Sequence, residues 1–412
     1  MQVKEKNRGG FGSYFMKARS FAAGSRRPRF NAPKSVRSGK RNFGGAKIDP
    51  ARFVNKAIVP QALAGDESQK ARFDDFEVSA SLKRVIAGKG YQDATPIQAK
   101  TIPQILKGVD VVGVADTGTG KTAAFLVPLI DRVLANPRTK ILIVAPTREL
   151  AVQIDQEFKS LAKGLKIFSA CCVGGASVSR QLAQLRYFNN FVIGTPGRLK
   201  DFIERRRINL AEFSVIVLDE ADRMMDMGFI ADMRFLMARM PESRQTLFFS
   251  ATLSREIEHL IGEFLRDPVF ISIKSRDTSK NVDQDVVKIS GRNKTEILRE
   301  LLLENEFKKV LVFGRTKYGV EKLCQTLLKA GIKAESIHGD KNYSRRVRAL
   351  EMFKDDRVQV LVATDVAARG LDIANVTHVI NYDLPQTYED YIHRIGRTGR
   401  GRNFGKALTF VD

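Results

Sequence analysis

From Phe73 onward, short apolar runs alternate with segments whose apolar positions recur at helical spacing. The runs Val111–Val114, Ile141–Val144, Phe191–Ile193, Val215–Leu218 and Thr246–Phe249 are strand-length and rich in Val, Ile and Phe, with little polar alternation. A strand that is apolar on both faces belongs inside a parallel sheet covered by helices on either side. Over residues 275–283 the alternation breaks into the polar stretch Ser-Arg-Asp-Thr-Ser-Lys-Asn-Val-Asp, which reads as a linker. A second alternation follows, with strands expected at Val310–Phe313, Ala334–Ile337, Val358–Val362, Val376–Ile380 and Ala407–Val411. Val320, Leu323, Cys324, Leu327 and Leu328 fall at helical spacing, and Gly331 is placed to end that helix. The pattern predicts an α/β protein with two parallel-sheet domains, 66–274 and 284–412, joined by a linker at 275–283.

Composition changes the picture at the N-terminus. The chain has 412 residues, 43% of them hydrophobic, enough for two cores, and a net charge of +23. Residues 1–47 hold thirteen Lys/Arg against the single acid Glu5, about half of that excess. The basic residues are mixed with Gly, Ser, Pro and isolated aromatics, so residues 1–65 are expected to form a disordered basic tail. Its Arg side chains suit phosphates, and Phe11, Tyr14, Phe15, Phe21 and Phe30 suit stacking on bases. A solubilising tail and a transit peptide are the other readings. Cys171, Cys172 and Cys324 lack metal-ligand spacing and read as core residues. No apolar run approaches the roughly 20 residues of a membrane helix, and no secretory h-region is visible, so a cytoplasmic protein without a membrane partner is expected.

Candidate chemistry sits at the strand ends. Ala115-Asp-Thr-Gly-Thr-Gly-Lys-Thr122 follows an apolar strand and opens an apolar helix, the setting of a phosphate-binding loop. Backbone amides of Thr117, Gly118, Thr119 and Gly120 would cradle phosphates, Lys121 would balance their charge, and Thr122 would offer a hydroxyl to Mg²⁺. Val215–Leu218 delivers Asp219-Glu220-Ala221-Asp222 at a strand's carboxyl end, where α/β sheets place ligands. Asp219 suits Mg²⁺, and Glu220 suits activating water; an acidic helix start is the structural alternative. His393-Arg-Ile-Gly-Arg-Thr-Gly-Arg400 offers arginines that complete a site in cis or bind RNA or another anion.

Together these motifs resemble the DEAD-box RNA helicases of superfamily 2, from about Phe73 to the end of the sequence. The resemblance implies two tandem RecA-like domains, ATP as nucleotide and RNA as partner. Phe73 with Gly90-Tyr-Gln-Asp-Ala-Thr-Pro-Ile-Gln98 resembles the adenine-reading motif, with Gln98 on the base and Phe73 stacked on it. Pro146, Thr147, Arg148, Gly175, Thr195, Gly197 and Arg198 are implied to contact RNA, as are Thr364, Arg369 and Gly370 in the second domain. Ser250-Ala-Thr252 resembles the motif that couples hydrolysis to strand separation, although Ser and Thr also suit a helix cap. Asp372 is implied at the ribose, Arg397 and Arg400 at the γ-phosphate, and His393 with Asp222 in coupling the domains. The chain departs from the family at Ala94, where Pro is usual, and at Tyr343, where Gln is usual.

The function so implied is RNA-stimulated ATP hydrolysis coupled to local, non-processive unwinding of short RNA duplexes or remodelling of RNA–protein complexes. Weak sequence preference, a monomeric state and accessory proteins are part of that expectation. The alternatives are an ATP-gated RNA clamp and a DNA-directed helicase. If the tail grips RNA, deleting residues 1–60 will weaken binding and flatten its log–log salt slope by about 0.7 for each phosphate that the tail neutralises, measured by titration at several salt concentrations. An unchanged slope would make the tail a solubiliser.

Overall fold

The computed structural model describes residues 53–56, 71–116, 118–273, 281–368, 373, 375–399 and 404–412. The expected N-terminal tail therefore lies outside the described residues except for Phe53–Lys56. Thr117, Arg369, Gly370, Asp372 and Arg400, and most of the expected linker, also lie outside them.

Within the described residues two all-parallel sheets form. The first contains β1 (Val111–Val114), β2 (Ile141–Val144), β3 (Ser169–Cys172), β4 (Phe191–Gly194), β5 (Val215–Leu218), β6 (Gln245–Ser250) and β7 (Val269–Ser272), in the order β3-β4-β2-β5-β6-β1-β7. The second contains β8 (Val282–Lys288), β9 (Val310–Phe313), β10 (Ala334–Ile337), β11 (Val360–Ala363), β12 (His378–Asn381) and β13 (Gly405–Val411), in the order β10-β11-β9-β12-β13-β8.

Alternation of side chains along each strand feeds two cores per sheet. Ile141 and Ile143 enter one core of the first sheet with Phe125 and Phe249, while Leu142 and Val144 enter the other with Phe202 and Phe248. Val310 and Val312 likewise lie on one face of the second sheet, and Leu311 and Phe313 on the other. Each such fully buried side chain contributes about 1.5–3 kcal/mol. Gly113, in β1, is where two layers nearly touch: a Cβ there would lie 2.5 Å from the Phe249 ring.

The expected helix forms as Lys317–Lys329, with Val320, Leu323, Cys324 and Leu327 buried. Gly331 follows at φ +80°, and the Ile332 amide donates to the Leu327 carbonyl (3.0 Å), closing the end. Leu328, expected on that buried face, is instead 45% exposed because it lies at the edge of the apolar stripe. Burial pushes the Cys324 thiol up to about 11 and that of Cys172 to about 12, as befits packing residues.

The departures from expectation are at sheet edges. β7 carries the exposed Phe270, and β8 carries Asp283, Gln284 and Asp285, so neither reads as an apolar run. β8 starts at Val282, inside the stretch expected as linker. Phe53–Lys56, expected as disordered tail, instead dock on β8: Asn55 and Gln284 exchange backbone hydrogen bonds of 3.0 and 2.7 Å. A deletion to residue 60 thus removes a packed segment along with the tail.

Two titratable groups, the buried His378 and the half-exposed Glu321, contribute to the acid response of the second domain. His378 in β12 is buried with its ring stacked on Phe307 (4.1 Å between centroids), and burial lowers its pKa to about 4. An unfolded chain takes up that proton near pH 6.5, so between about pH 6.5 and 4 the unfolded state holds more protons and stability falls as pH falls. Burial opposes ionisation of Glu321, but hydrogen bonds from Ser336 and His338 and the Lys341 charge outweigh it and bring the pKa to about 2. Its contribution is lost in a lower window, from roughly pH 4.5 downward. Urea titrations of His378→Phe between pH 7 and 5 should show a smaller loss of midpoint than the natural chain; an equal loss would assign that window to other groups.

Candidate active site

The loop after β1 is shaped by its glycines. Gly118 and Gly120 adopt φ of +82° and +93°, turning the backbone into the helix Lys121–Ala135. Lys121 is buried at the head of that helix, and its ammonium donates to the Ala115 carbonyl (2.7 Å). The Thr119 hydroxyl donates to the Asp116 carbonyl (2.8 Å), and Thr122 is the second residue of the helix. Gln98, in the first turn of helix Pro96–Leu106, accepts from the Thr95 amide (2.9 Å) and donates to the Gly120 carbonyl (3.0 Å). The Gln98 segment is thereby wired to the phosphate loop.

Phe73 is buried beside Tyr91, rings 5.7 Å apart and nearly parallel, with Phe76 edge-on. Its amide donates to the Gln92 carbonyl (2.9 Å), and the Ala94 amide donates to the Ala71 carbonyl (2.8 Å). The second bond gives the departure at position 94 a physical role, because Pro has no N–H to donate.

At the end of β5 three carboxylates are buried almost completely. Burial raises the Asp219 pKa to about 7 against the pull of the Lys121 charge, with Glu220 adding to the rise. Glu220 sits at φ +50°, an uncommon conformation for a non-glycine residue that costs of order 1 kcal/mol, and its carboxylate pairs with the buried Arg223 guanidinium. Asp222 accepts from the amides of Ala251 (3.0 Å) and Thr252 (3.1 Å) and from the Thr252 hydroxyl (3.2 Å). Ser250 donates to the Thr252 carbonyl (2.8 Å). The Ser250–Thr252 turn is therefore no helix cap; Ser254 caps the helix that follows.

These parts are neighbours because β5, β6 and β1 are consecutive in the sheet. Among the described residues no group of three His, Cys, Asp or Glu forms a metal cage. A hard cation held by Asp219 and Thr122 would complete its shell with phosphate oxygens and water, which suits Mg²⁺.

Beyond β5, the turns after β2, β3 and β4 line a cleft of about 510 Å³ together with residues of the second domain. Pro146, Thr147, Arg148, Thr195, Gly197 and Arg198 line it from one side, and Gly339, Arg346 and Val366 from the other. Thr147 caps the helix Arg148–Leu161. Gly175 has φ +75°, and a Cβ there would overlap the Arg148 guanidinium. Tyr343 comes within 3.4 Å of the same point from across the cleft. The buried Glu149 and the largely buried Arg346 form an ion pair spanning it (2.8 Å). Arg198 Nη1, Arg346 Nε and Glu149 Oε1 are buried without a hydrogen-bond partner among the described residues, so the cleft holds polar capacity that its own side chains leave unused.

In the second domain Thr364 is buried just after β11. His393 lies on the helix Tyr388–Ile395, and the buried Arg397 follows it. Both line a small hollow with Phe313, Asp365, Ala368 and Asp390. Arg394 between them is structural: it pairs with Asp365 (2.6 and 2.8 Å), Asn381 (3.1 Å) and the Asp383 carbonyl (2.6 Å).

Two parallel-sheet domains, with a phosphate loop and a buried acid pair on one of them, define a nucleotide-driven helicase core. Residues 95–260 match the DEAD/DEAH box helicase family and residues 293–402 the helicase conserved C-terminal domain. The DEAD-box ATP-dependent RNA helicase CshA of Bacillus subtilis (strain 168) is 43% identical over 341 residues, covering 82% of this chain and 69% of that protein. The ATP-dependent RNA helicase CshA of Limosilactobacillus reuteri is 44% identical over 342 residues, with the same coverage of 82% and 69%. Among solved structures, S. cerevisiae Dbp5 bound to RNA and ADP BeF3 superposes with a TM-score of 0.74 at 30% identity, covering 83% of this chain and 90% of that one. Mss116p bound to ssRNA and AMP-PNP gives 0.76 at 31%, covering 87% and 77%. The chain belongs to the DEAD-box family of ATP-dependent RNA helicases.

The loop after β1, the acids after β5 and the turns after β2, β3 and β4 that the sequence singles out lie at one edge of the first sheet, whereas Arg223, the Glu149–Arg346 pair and the contacts of Arg394 carry no local signal in it. Asp222 yields the sharpest consequence of the geometry, since Asn would turn an acceptor that faces three donors into a group with donors of its own. Asp222→Asn should cost about 2 kcal/mol in that turn and lower duplex unwinding by roughly tenfold. ATP affinity, measured by fluorescent-nucleotide titration, should stay within about threefold; a large loss of affinity would place Asp222 in binding instead.

Proposed function

We propose that ATP with Mg²⁺ binds on the first domain and RNA lies across both, so that ATP binding melts a short duplex locally and hydrolysis resets the enzyme. The observation that carries this reading is the placement of phosphate loop, coupling turn and acid pair on three consecutive strands, β1, β6 and β5. The amides of Thr117, Gly118, Thr119 and Gly120 cradle the phosphates, with Lys121 balancing their charge. Phe73, Gln98 and Asp372 hold the adenosine. Bound Mg²⁺, held by Thr122 and Asp219, supplies charge neutralisation at the phosphates.

Glu220 orients the attacking water and accepts its proton, and Arg223 fixes that carboxylate in place. Arg397 and Arg400 stabilise charge developing on the γ-phosphate, an effect worth roughly 10³–10⁵ in rate. Pro146, Thr147, Arg148, Gly175, Thr195, Gly197 and Arg198 hold the RNA backbone from one domain, and Thr364, Arg369 and Gly370 from the other. Asp222, Ser250, Thr252 and His393 transmit closure between the domains. Such a grip bends the strand away from A-form geometry and reads phosphates and 2′-hydroxyls rather than bases, so sequence preference is weak. The same reading takes 66–274 and 284–412 as the working units of a cytoplasmic monomer with accessory proteins.

The test is the ATP hydrolysis rate of the purified protein alone, with single-stranded RNA and with DNA of matched sequence. RNA should stimulate strongly and DNA little, and Glu220→Gln should lower kcat by at least about 100-fold while RNA binding persists. Equal stimulation by DNA would overturn the assignment of RNA, and multiple-turnover unwinding that persists undiminished in Glu220→Gln would overturn the role of hydrolysis as the reset.

A further inference from the structure

Phe53 is fully buried although it precedes the first sheet in the chain. It packs among Val282, Tyr391, Ile395 and Ala407 of the second domain, with its ring 4.7 Å from that of Tyr391. Val54 points outward, and Asn55 pairs with Gln284 in an antiparallel bridge, as a short strand on an open sheet edge should. Lys56 lies 3.4 Å from the carboxylate of Asp283 and 3.5 Å from that of Asp285. Apolar burial, backbone pairing and charge thus agree over four successive residues.

The surface they cover carries the arginine motif. Tyr391 and Ile395, which contact Phe53, lie on the helix Tyr388–Ile395. The Tyr391 hydroxyl donates to the Gln284 side-chain carbonyl (2.9 Å), tying that helix to the strand that Asn55 pairs with. The Arg397 amide donates to the Arg394 carbonyl and the Thr398 amide to the Ile395 carbonyl (both 3.1 Å), so Arg397 inherits the helix's position. The turn beyond it rests on the start of β8: a Cβ on Gly399 would lie 2.6 Å from the Val282 side chain. Arg394 fixes the same helix to the sheet and to the segment after β11 through Asn381 and Asp365. The helix is held between an internal ion pair and an external strap.

We propose that Phe53–Lys56 is a strap that sets the arginine helix against β8, making Phe53 and Asn55 positioning residues for ATP hydrolysis. The proposal rests on the reading that Arg397 acts at the γ-phosphate. Because the chain passes from the strap through the whole first domain before returning at Val282, the strap also anchors the second domain to segments on both sides of the first.

Native-state hydrogen exchange on the full, unsubstituted chain tests the docking, because the Asn55 and Gln284 amides donate to one another's carbonyls. Both should be protected; free exchange at Asn55 would overturn the strap. Steady-state kinetics test the function at a temperature where circular dichroism shows each variant folded. Phe53→Ala should lower RNA-stimulated kcat by about tenfold, with KM for ATP and half-saturating RNA within about twofold, and Phe53→Leu should recover most of the activity. A merely structural anchor would lower the melting temperature and leave kcat unchanged, which would overturn the positioning role. Arg397→Lys, run alongside, separates the layers: if it leaves kcat intact, the reading of Arg397 fails, and any effect of Phe53→Ala then runs by another route and refutes the proposal as stated.

Discussion

A carboxylate removed from water needs a cation or a set of donors beside it, and the first domain is arranged around three that meet this need in different ways. Desolvation costs several kcal/mol for each such ion. Asp219 has the Glu220 amide and the Lys121 charge, Glu220 has Arg223, and Asp222 has the Ser250–Thr252 turn. These partners come from the loops after β1, β5 and β6. The parallel order of the sheet is what makes the arrangement possible, since it delivers every loop to the same edge. A strand out of place would leave at least one buried acid without its partner.

The same constraint operates with the signs reversed in the second domain. Arg394 is buried and needs an anion and further acceptors, which the Asp365 carboxylate, the Asn381 side-chain oxygen and the Asp383 carbonyl supply. Its neighbour in the motif, Arg397, is also buried and lines the same hollow, with His393. On the proposed reading two arginines three residues apart divide the work: Arg394 fixes the helix, and Arg397, just beyond its end, is carried by it. The strap at Phe53 acts on the same helix through Tyr391 and Ile395.

The legible parts of the sequence were those whose chemistry is confined to one short stretch. A phosphate loop needs its glycines, lysine and threonine in succession, and an all-apolar run such as Ile141–Val144 has few places to go except the centre of a sheet. β8 was hidden because a strand at the edge of its sheet is less enclosed than a central one and tolerates Asp283 and Asp285. Phe53 was hidden because a single aromatic among basic and small residues has the composition of a tail, and only the pocket on the second domain gives it a place. The Glu149–Arg346 pair joins motifs on different domains, so spacing along the chain carries no trace of it.

That pair also bears on how a cleft lined with arginines can exist before RNA arrives. Arg346 in a buried setting without an anion would be costly, and Glu149 supplies one at 2.8 Å. A phosphate entering the cleft competes with Glu149 for the same guanidinium, so on the proposed reading RNA binding is an exchange of anions more than a new neutralisation. Removing the carboxylate then has two opposed effects: it strips the empty cleft of a partner for Arg346, and it removes a competitor of the RNA. The unused valences on Arg198 and Arg346 favour the exchange on that reading, because a phosphate group offers more acceptor oxygens than Glu149 does and can meet donors that the carboxylate leaves unmet.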